Sequence, residues 1–311
     1  MNEKKATRQG YGDGLVELGK KYSDVIVLDA DLGNATGTLT FRNAFPERYI
    51  EAGIAEQNLI GMAAGFSKVG YVPFASSFAM FTAGRAFEII RNAVAYSKAN
   101  VKIIGSHSGI TPAGDGGTHQ CIEDIALMRA IPEMTVLSPC DYNQTKLLVE
   151  AAYHFQGPVY MRTSREPMPI VTAADAAVKI GKAQKLRDGN DICIVATGIM
   201  TPMAVEAAEK LEKDGIHATV LNIHTIKPLD TDAIFDSVAA CDGRVLICEE
   251  ANQYGGLGEA VAYKLFGKTD VKMAHVAVND RFGQSGLTAE LLDDYGITVC
   301  NILNHAKSLL N

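Results

Sequence analysis

Tryptophan is absent, and six scattered cysteines (Cys121, Cys140, Cys193, Cys241, Cys248 and Cys300) form no Cys-x-x-Cys pair and no Cys/His ligand cluster. Without such spacings neither a disulfide framework nor a structural zinc site is expected. The cysteines read instead as small core residues of a reducing compartment. Cations are also in deficit, since 29 Lys+Arg against 36 Asp+Glu leave a formal charge of −7. That balance excludes a basic face for nucleic acid or an anionic membrane surface. Long apolar runs are missing too. The longest uncharged stretch, Val69 to Gly84, is broken by Pro73, Ser76, Ser77 and Thr82 and falls short of a membrane span. The opening residues Met1 to Arg8 hold no apolar core of a signal sequence, so a cytoplasmic location is expected.

What is present is ordinary for a globular chain, with 47% hydrophobic and 21% charged residues over 311 positions. Disorder and low-complexity classes are thereby set aside, and the length suits two domains better than one. Short β-branched runs alternate with longer amphipathic segments, the pattern of an α/β fold with mainly parallel sheets. Strands are expected at Val25–Leu28, Val101–Ile104, Thr135–Leu137 and Val159–Met161, with helices near 11–21, 55–67, 84–97 and 142–154. A second series places strands at Ile192–Val195, Thr219–Leu221, Val245–Ile247 and Met273–Val276, and helices near 202–213, 257–266, 288–294 and after 300. Between them lies a polar segment with Pro167, Pro169 and several lysines. The expected division is 1–168, a linker at 169–185, and 186–311.

Several segments carry chemistry. Glu56 stands in an otherwise apolar helical pattern, where Gly61 and Gly65 leave one face flat enough for close contact. By itself the residue reads first as a first-turn acid complementing the helix dipole; if buried, it becomes a usable proton donor. The stretch His107 to Gln120 follows an apolar strand and holds His107, Asp115 and His119 amid glycines. It is either a solvated Gly-rich loop or a ligand site at a strand's carboxyl end. Phe78 and Phe81, three apart, share a face if their segment is helical, and aromatics so placed are usually core. Arg8, Arg85, Arg91 and Arg165, taken alone, are surface cations. Gly114-Asp115-Gly116 with Asn143 imitates a metal and diphosphate motif, but Pro112-Ala113 precede it where an apolar strand is needed, so no metal site is expected on this chain. Gly255-Gly256-Leu257-Gly258 lacks full dinucleotide spacing and reads as a tight strand-to-helix turn.

Jointly, Asp29-Ala30-Asp31-Leu32, Gly53-Ile54-Ala55-Glu56-Gln57-Asn58, Phe78-Ala79-Met80-Phe81, Gly114 to Gln120, Ser164-Arg165 and Phe282-Gly283-Gln284-Ser285-Gly286 resemble the C-terminal half of a transketolase over nearly the whole chain. The resemblance implies a domain binding the aminopyrimidine of thiamine diphosphate, followed by the family's C-terminal domain. The half that holds the diphosphate and its Mg²⁺ or Ca²⁺ is missing, which implies a partner N-terminal subunit, a self-dimer and an α2β2 heterotetramer.

The same resemblance assigns roles. Glu56 bonds the pyrimidine N1′, Phe78 and Phe81 wall the pyrimidine, and Asp31 is an acid near the cofactor. His107 and His119 line the channel of a sugar phosphate, Asp115 reads a hydroxyl, and Arg8 and Arg165 hold the phosphate. Two positions depart from the family pattern: Ala35, where a phosphate-binding Ser is common and Thr36 is an adjacent substitute, and Gly84, where a tyrosine often completes the pocket. Other classes stay open. They are the beta subunit of a 2-oxo-acid dehydrogenase, a deoxyxylulose-phosphate synthase relative, and a non-catalytic module that keeps the fold.

Overall fold

The computed structural model describes residues 3–268 and 270–311. Val25–Asp29, Val72–Phe78, Lys102–Ser106 and Val159–Arg162 are strands in which every residue is buried, as expected for parallel strands covered on both faces. They form the centre of a seven-stranded sheet with the spatial order 225–227, 135–137, 159–162, 102–106, 72–78, 25–29, 49–51. All neighbouring pairs are parallel except Thr225–Lys227 on Thr135–Leu137, which is antiparallel. Five strands make the second sheet, ordered 272–278, 244–252, 192–196, 218–222, 184–187. Only Gln184–Arg187 runs antiparallel there. Two successive α/β units with mainly parallel sheets are thus present.

Val72–Phe78, a segment for which no element is expected, is a central strand, so Phe78 and Phe81 do not share a helix. Pro73, Ser76 and Ser77 interrupt the apolar run, yet the strand pairs with Val25–Asp29 on one side and Lys102–Ser106 on the other. Phe78 ends the strand, and Phe81 falls in a widened helical turn, Met80–Arg85, with π-type bonding. The helix expected near 84–97 is a succession of such wide turns with one short α segment, Phe87–Ile89. Four helices without an expectation, Gly33–Thr36, Leu39–Ala44, Asp124–Ala130 and Thr231–Ala239, are short.

Two helices position the site. Thr7–Lys21 starts four residues earlier than its apolar period and so takes Arg8 into its first turn. Gly10 lies against the backbone of Tyr142, where a Cβ would overlap the carbonyl oxygen. Glu56–Lys68 buries Glu56, Leu59, Ile60, Ala63 and Ala64, an i, i+3, i+4, i+7, i+8 stripe. Glu56 is therefore on the inward face of its helix, whereas nothing within 4 Å faces Gly61 or Gly65.

The halves interlock. Thr225–Lys227, from the second series, completes the first sheet, and Asp141 ties down the connecting segment. Buried Asp141 caps helix Tyr142–His154 through Gln144 N–H and accepts from the N–H groups of Val171 and Thr172, both on Oδ2, at 2.8 and 2.7 Å. Among the described residues no helix is long and apolar enough to cross a membrane.

Candidate active site

Parallel strands deliver their carboxyl ends to one edge of the first sheet, where ligands of open α/β folds bind. Strand 72–78 brings Phe78 there, 102–106 brings His107, and 159–162 leads to Arg165. The His107 ring stacks on Phe78 at 4.1 Å between centroids, Phe81 lies parallel to Phe78 at 5.9 Å, and His119 meets Phe81 edge-on at 5.4 Å. Four rings thus make one aromatic cluster. His107 holds a backbone φ of 56°, rare for a residue other than glycine and common where function fixes a side chain.

His107 is 2% exposed, and its Nδ1 lies 2.9 Å from Ser106 Oγ. Burial first, then the positive charges of Arg8 and Arg165, push its pKa down to about 3. The ring is a neutral imidazole at physiological pH. A base whose folded pKa lies below its unfolded value of about 6.5 binds fewer protons when folded. It has no protonation penalty above that pH and destabilises the fold progressively as the pH falls toward 3. By NMR, the His107 C2–H resonance is expected to keep its neutral shift from about pH 8 down to about pH 5. A midpoint near pH 6.5 would contradict this environment.

Arg8, Phe78, His107, Asp115, His119 and Arg165 line a single cleft of about 380 Å³, with Asn34 and Ala35 in its wall. Six of the sequence-expected site residues are therefore brought together. Arg8 Nη1 donates to the Ala35 carbonyl at 2.8 Å, while its buried Nε has no partner. Arg165 donates to the Pro112 carbonyl at 3.0 Å and to the Asp115 carboxylate at 3.4 Å. Burial and then the charge of Arg165 lower the pKa of Arg8. Two guanidinium groups that repel across a cleft make it a place for an anion with several acceptor oxygens.

Glu56 is 2% exposed and is not among the residues that line this cleft. Its Oε2 pairs with Arg85 Nη1 at 3.2 Å, and the Arg85 guanidinium sits 5.1 Å from the Phe81 ring centre. Glu56 is therefore joined to the aromatic cluster through Arg85 and Phe81. Among the described residues no three His, Cys, Asp or Glu side chains gather as metal ligands.

Asp31 is not in the lining of this cleft. It is exposed, and its backbone N–H donates to Glu51 Oε1 at 2.8 Å. The buried acid of that segment is Asp29, which accepts from Leu32 N–H, Thr36 Oγ1 and Thr38 Oγ1 at 2.7, 2.7 and 2.9 Å. Burial pushes the Asp29 carboxyl up to about 6. This knot folds the turn that presents Ala35 to Arg8, and it holds the Thr36 hydroxyl on Asp29 Oδ2. At Gly84 the Met80 methyl packs where a Cβ would begin.

Asn143 of the Gly-Asp-Gly decoy gives its amide to the Thr172 carbonyl at 2.8 Å. In the turn at Gly255–Gly258, Glu249 takes the N–H groups of Leu257 and Gly258 at 2.7 and 2.8 Å. The protein's own carboxylate fills the position a phosphate occupies in dinucleotide folds.

The two glycine-rich motifs of the sequence meet in space. Gln120 Nε2 donates to the carbonyls of Ile110 and Gln284, each at 3.0 Å, and a Cβ at Gly283 would overlap the Gln120 side chain. Sequence reasoning missed Asp29, Asp124, Arg162 and Glu250, all buried. Each is a charged residue at or near the end of an apolar strand or the start of a helix, a signal visible in the sequence.

Family models described as "Transketolase, pyrimidine binding domain" and "Transketolase, C-terminal domain" match residues 3–170 and 181–302. A Methanocaldococcus jannaschii protein named "Putative transketolase C-terminal section" is 47% identical over 94% of this chain and 92% of its own length. The "6-deoxy-6-sulfo-D-fructose transketolase subunit SqwH" of a Clostridium species is 41% identical over 97% of this chain and 94% of its own. Human transketolase is 38% identical over all of this chain, which spans only 50% of the human protein. A solved structure described as "Split gene transketolase, inactive beta4 tetramer" superposes with a TM-score of 0.89 at 44% identity, covering 98% of both chains. With both family models matched in order along a chain of the corresponding fold, the protein belongs to the transketolase family.

Proposed function

We propose that this chain is the pyrimidine-side subunit of a two-chain transketolase, which moves a two-carbon ketol unit from a ketose phosphate to an aldose phosphate. The observation that carries the reading is the single cleft in which Arg8, Arg165, His107, His119 and Asp115 converge on the Phe78 ring. This chain spans half the length of human transketolase and nearly all of a relative named as a C-terminal section, which supports a partner subunit for the other half. That partner holds the diphosphate and its Mg²⁺ or Ca²⁺. An α2β2 assembly in the cytoplasm, with domains at 1–168 and 186–311 joined by 169–185, completes the reading.

Thiamine diphosphate, when bound, supplies the carbon nucleophile and the electron sink for carbon–carbon cleavage. The protein supplies orientation and proton control. Glu56 would hold a proton at the pyrimidine N1′, a task for a carboxyl removed from water. Phe78 and Phe81 keep water from the ring. Arg8 and Arg165 bind the substrate phosphate through guanidinium forks. Neutral His107 and half-buried His119 face the substrate hydroxyls as donors or acceptors, and Asp115, held by Arg165, accepts from one of them.

The test is reconstitution with the chain encoded alongside this one, assayed for ketol transfer between sugar phosphates and for pyruvate decarboxylation. Ketol transfer is expected. Pyruvate decarboxylation alone would favour the beta subunit of a 2-oxo-acid dehydrogenase, and an inert complex would favour a non-catalytic module.

A further inference from the structure

The backbone between His107 and His119 is held from the other half of the chain. Glu250, on strand Arg244–Asn252 of the second sheet, is 3% exposed. Its Oε1 accepts the N–H groups of both Ile110 and Thr111 at 2.8 Å. Gly109, with φ of 72°, lies so close that a Cβ there would overlap the Glu250 carboxyl group. The loop is closed behind this contact by the Gly109 and Cys121 backbones, which exchange hydrogen bonds of 2.7 and 3.1 Å.

Strand 244–252 is itself fixed to the first sheet. Arg162 donates through both terminal nitrogens to the Glu250 carbonyl at 3.3 and 3.2 Å, and Asn252 N–H donates to the Ile122 carbonyl at 2.9 Å.

We propose that Glu250 is a positioning residue: its carboxylate, reaching across from the C-terminal half, sets the backbone that carries His107 and His119 into the cleft. It does not line the cleft, and it acts only through the loop. A buried carboxylate is a poor stabiliser compared with an apolar residue of the same volume. Its use here is geometric. Two N–H groups converge on one oxygen, which fixes two successive peptide planes. Glycine at 109 leaves the room that the approach requires. The C-terminal half thereby contributes to the site through the loop it holds.

The kinetic part of the test rests on the reading under Proposed function; the structural part does not. Hydrogen exchange would be followed in the full chain for peptides covering residues 108–121, in the native protein and in Glu250→Ala, Glu250→Asp and Glu250→Gln. Loss of the acceptor in Glu250→Ala is expected to speed exchange at Ile110 and Thr111 by roughly tenfold or more, with peptides of strand 25–29 unchanged. Glu250→Gln keeps an acceptor oxygen at the same reach and is expected to stay within about threefold of native. Glu250→Asp keeps the carboxyl group but withdraws it by one methylene, and is expected to behave like Glu250→Ala.

The ring resonances of His107 and His119 are expected to move in the alanine and aspartate variants and to return in the glutamine variant. With the partner chain present, the same two variants are expected to lose kcat by about tenfold or more, with glutamine restoring it. Native exchange in both Glu250→Ala and Glu250→Asp would overturn the proposal. If the alanine variant does not fold, the aspartate and glutamine variants decide it by the same measure. If the native complex shows no ketol transfer, the function reading fails while the exchange and resonance data still decide the role of Glu250.

Discussion

Glu56→Gln is expected to lower ketol transfer by the reconstituted complex about 10²–10⁴-fold, the range of a lost general acid–base group. The side chain is 2% exposed on the inward stripe of helix Glu56–Lys68, so the isosteric amide fills the same space. What it removes is the ability to take and hold a proton. Its partner Arg85 is 54% exposed, so losing the charge of Glu56 leaves that guanidinium in water at little cost to stability. The variant should therefore melt and assemble like the native chain. Turnover within about threefold of native, with assembly intact, would remove Glu56 from its role. The alternative view of Glu56, a first-turn acid serving the helix dipole, predicts no more than about 1 kcal/mol of stability and no loss of turnover.

Arg162→Ala is expected to cost about 3–5 kcal/mol of stability, the range for breaking a buried ion pair by removing one partner. Arg162 Nε and Nη2 meet the two oxygens of Asp124 at 3.0 Å each, and the side chains are 4% and 0% exposed. Tyr160 Oη donates to the same carboxylate at 2.9 Å. Removing the guanidinium leaves a buried carboxylate with one hydroxyl partner, which is the expensive way to break such a pair. It also frees the Glu250 carbonyl that anchors the second sheet to the first. The apparent Tm should fall by roughly 10 °C. Replacing both partners, as Arg162→Met with Asp124→Leu, is expected to recover part of the loss because no charge is then left alone. A single variant that melts like the native chain would show that the pair is not desolvated as described.

How far the sequence reveals this site depends on the distance between partners. The meeting of Phe78, His107, Asp115 and His119 is legible because each sits in a short motif beside an apolar run, and parallel strands bring their carboxyl ends together. The strand at 72–78 is hidden because Pro73, Ser76 and Ser77 break the alternation, although all seven residues are buried by neighbouring strands. Asp29 and Asp31 differ by two positions, and the motif alone does not say which of them is buried. Asp29 ends a strand and folds the next turn, while Asp31 follows it with φ of 60° and faces water. Glu250 meets Ile110 across 140 positions, and Thr225–Lys227 pairs with Thr135–Leu137 from the other half of the chain. No local pattern encodes either contact. Thr36 stands next to Ala35 in sequence, and only the side-chain directions show that its hydroxyl is tied to Asp29.

The central claim is that the catalytic site is divided between two polypeptides. The direct measurement is ketol transfer with thiamine diphosphate and Mg²⁺ by the purified chain alone, and again after adding the chain encoded alongside it. A divided site predicts no detectable transfer by the lone chain and full turnover by the pair. Transfer by the lone chain at the rate of the pair would contradict it.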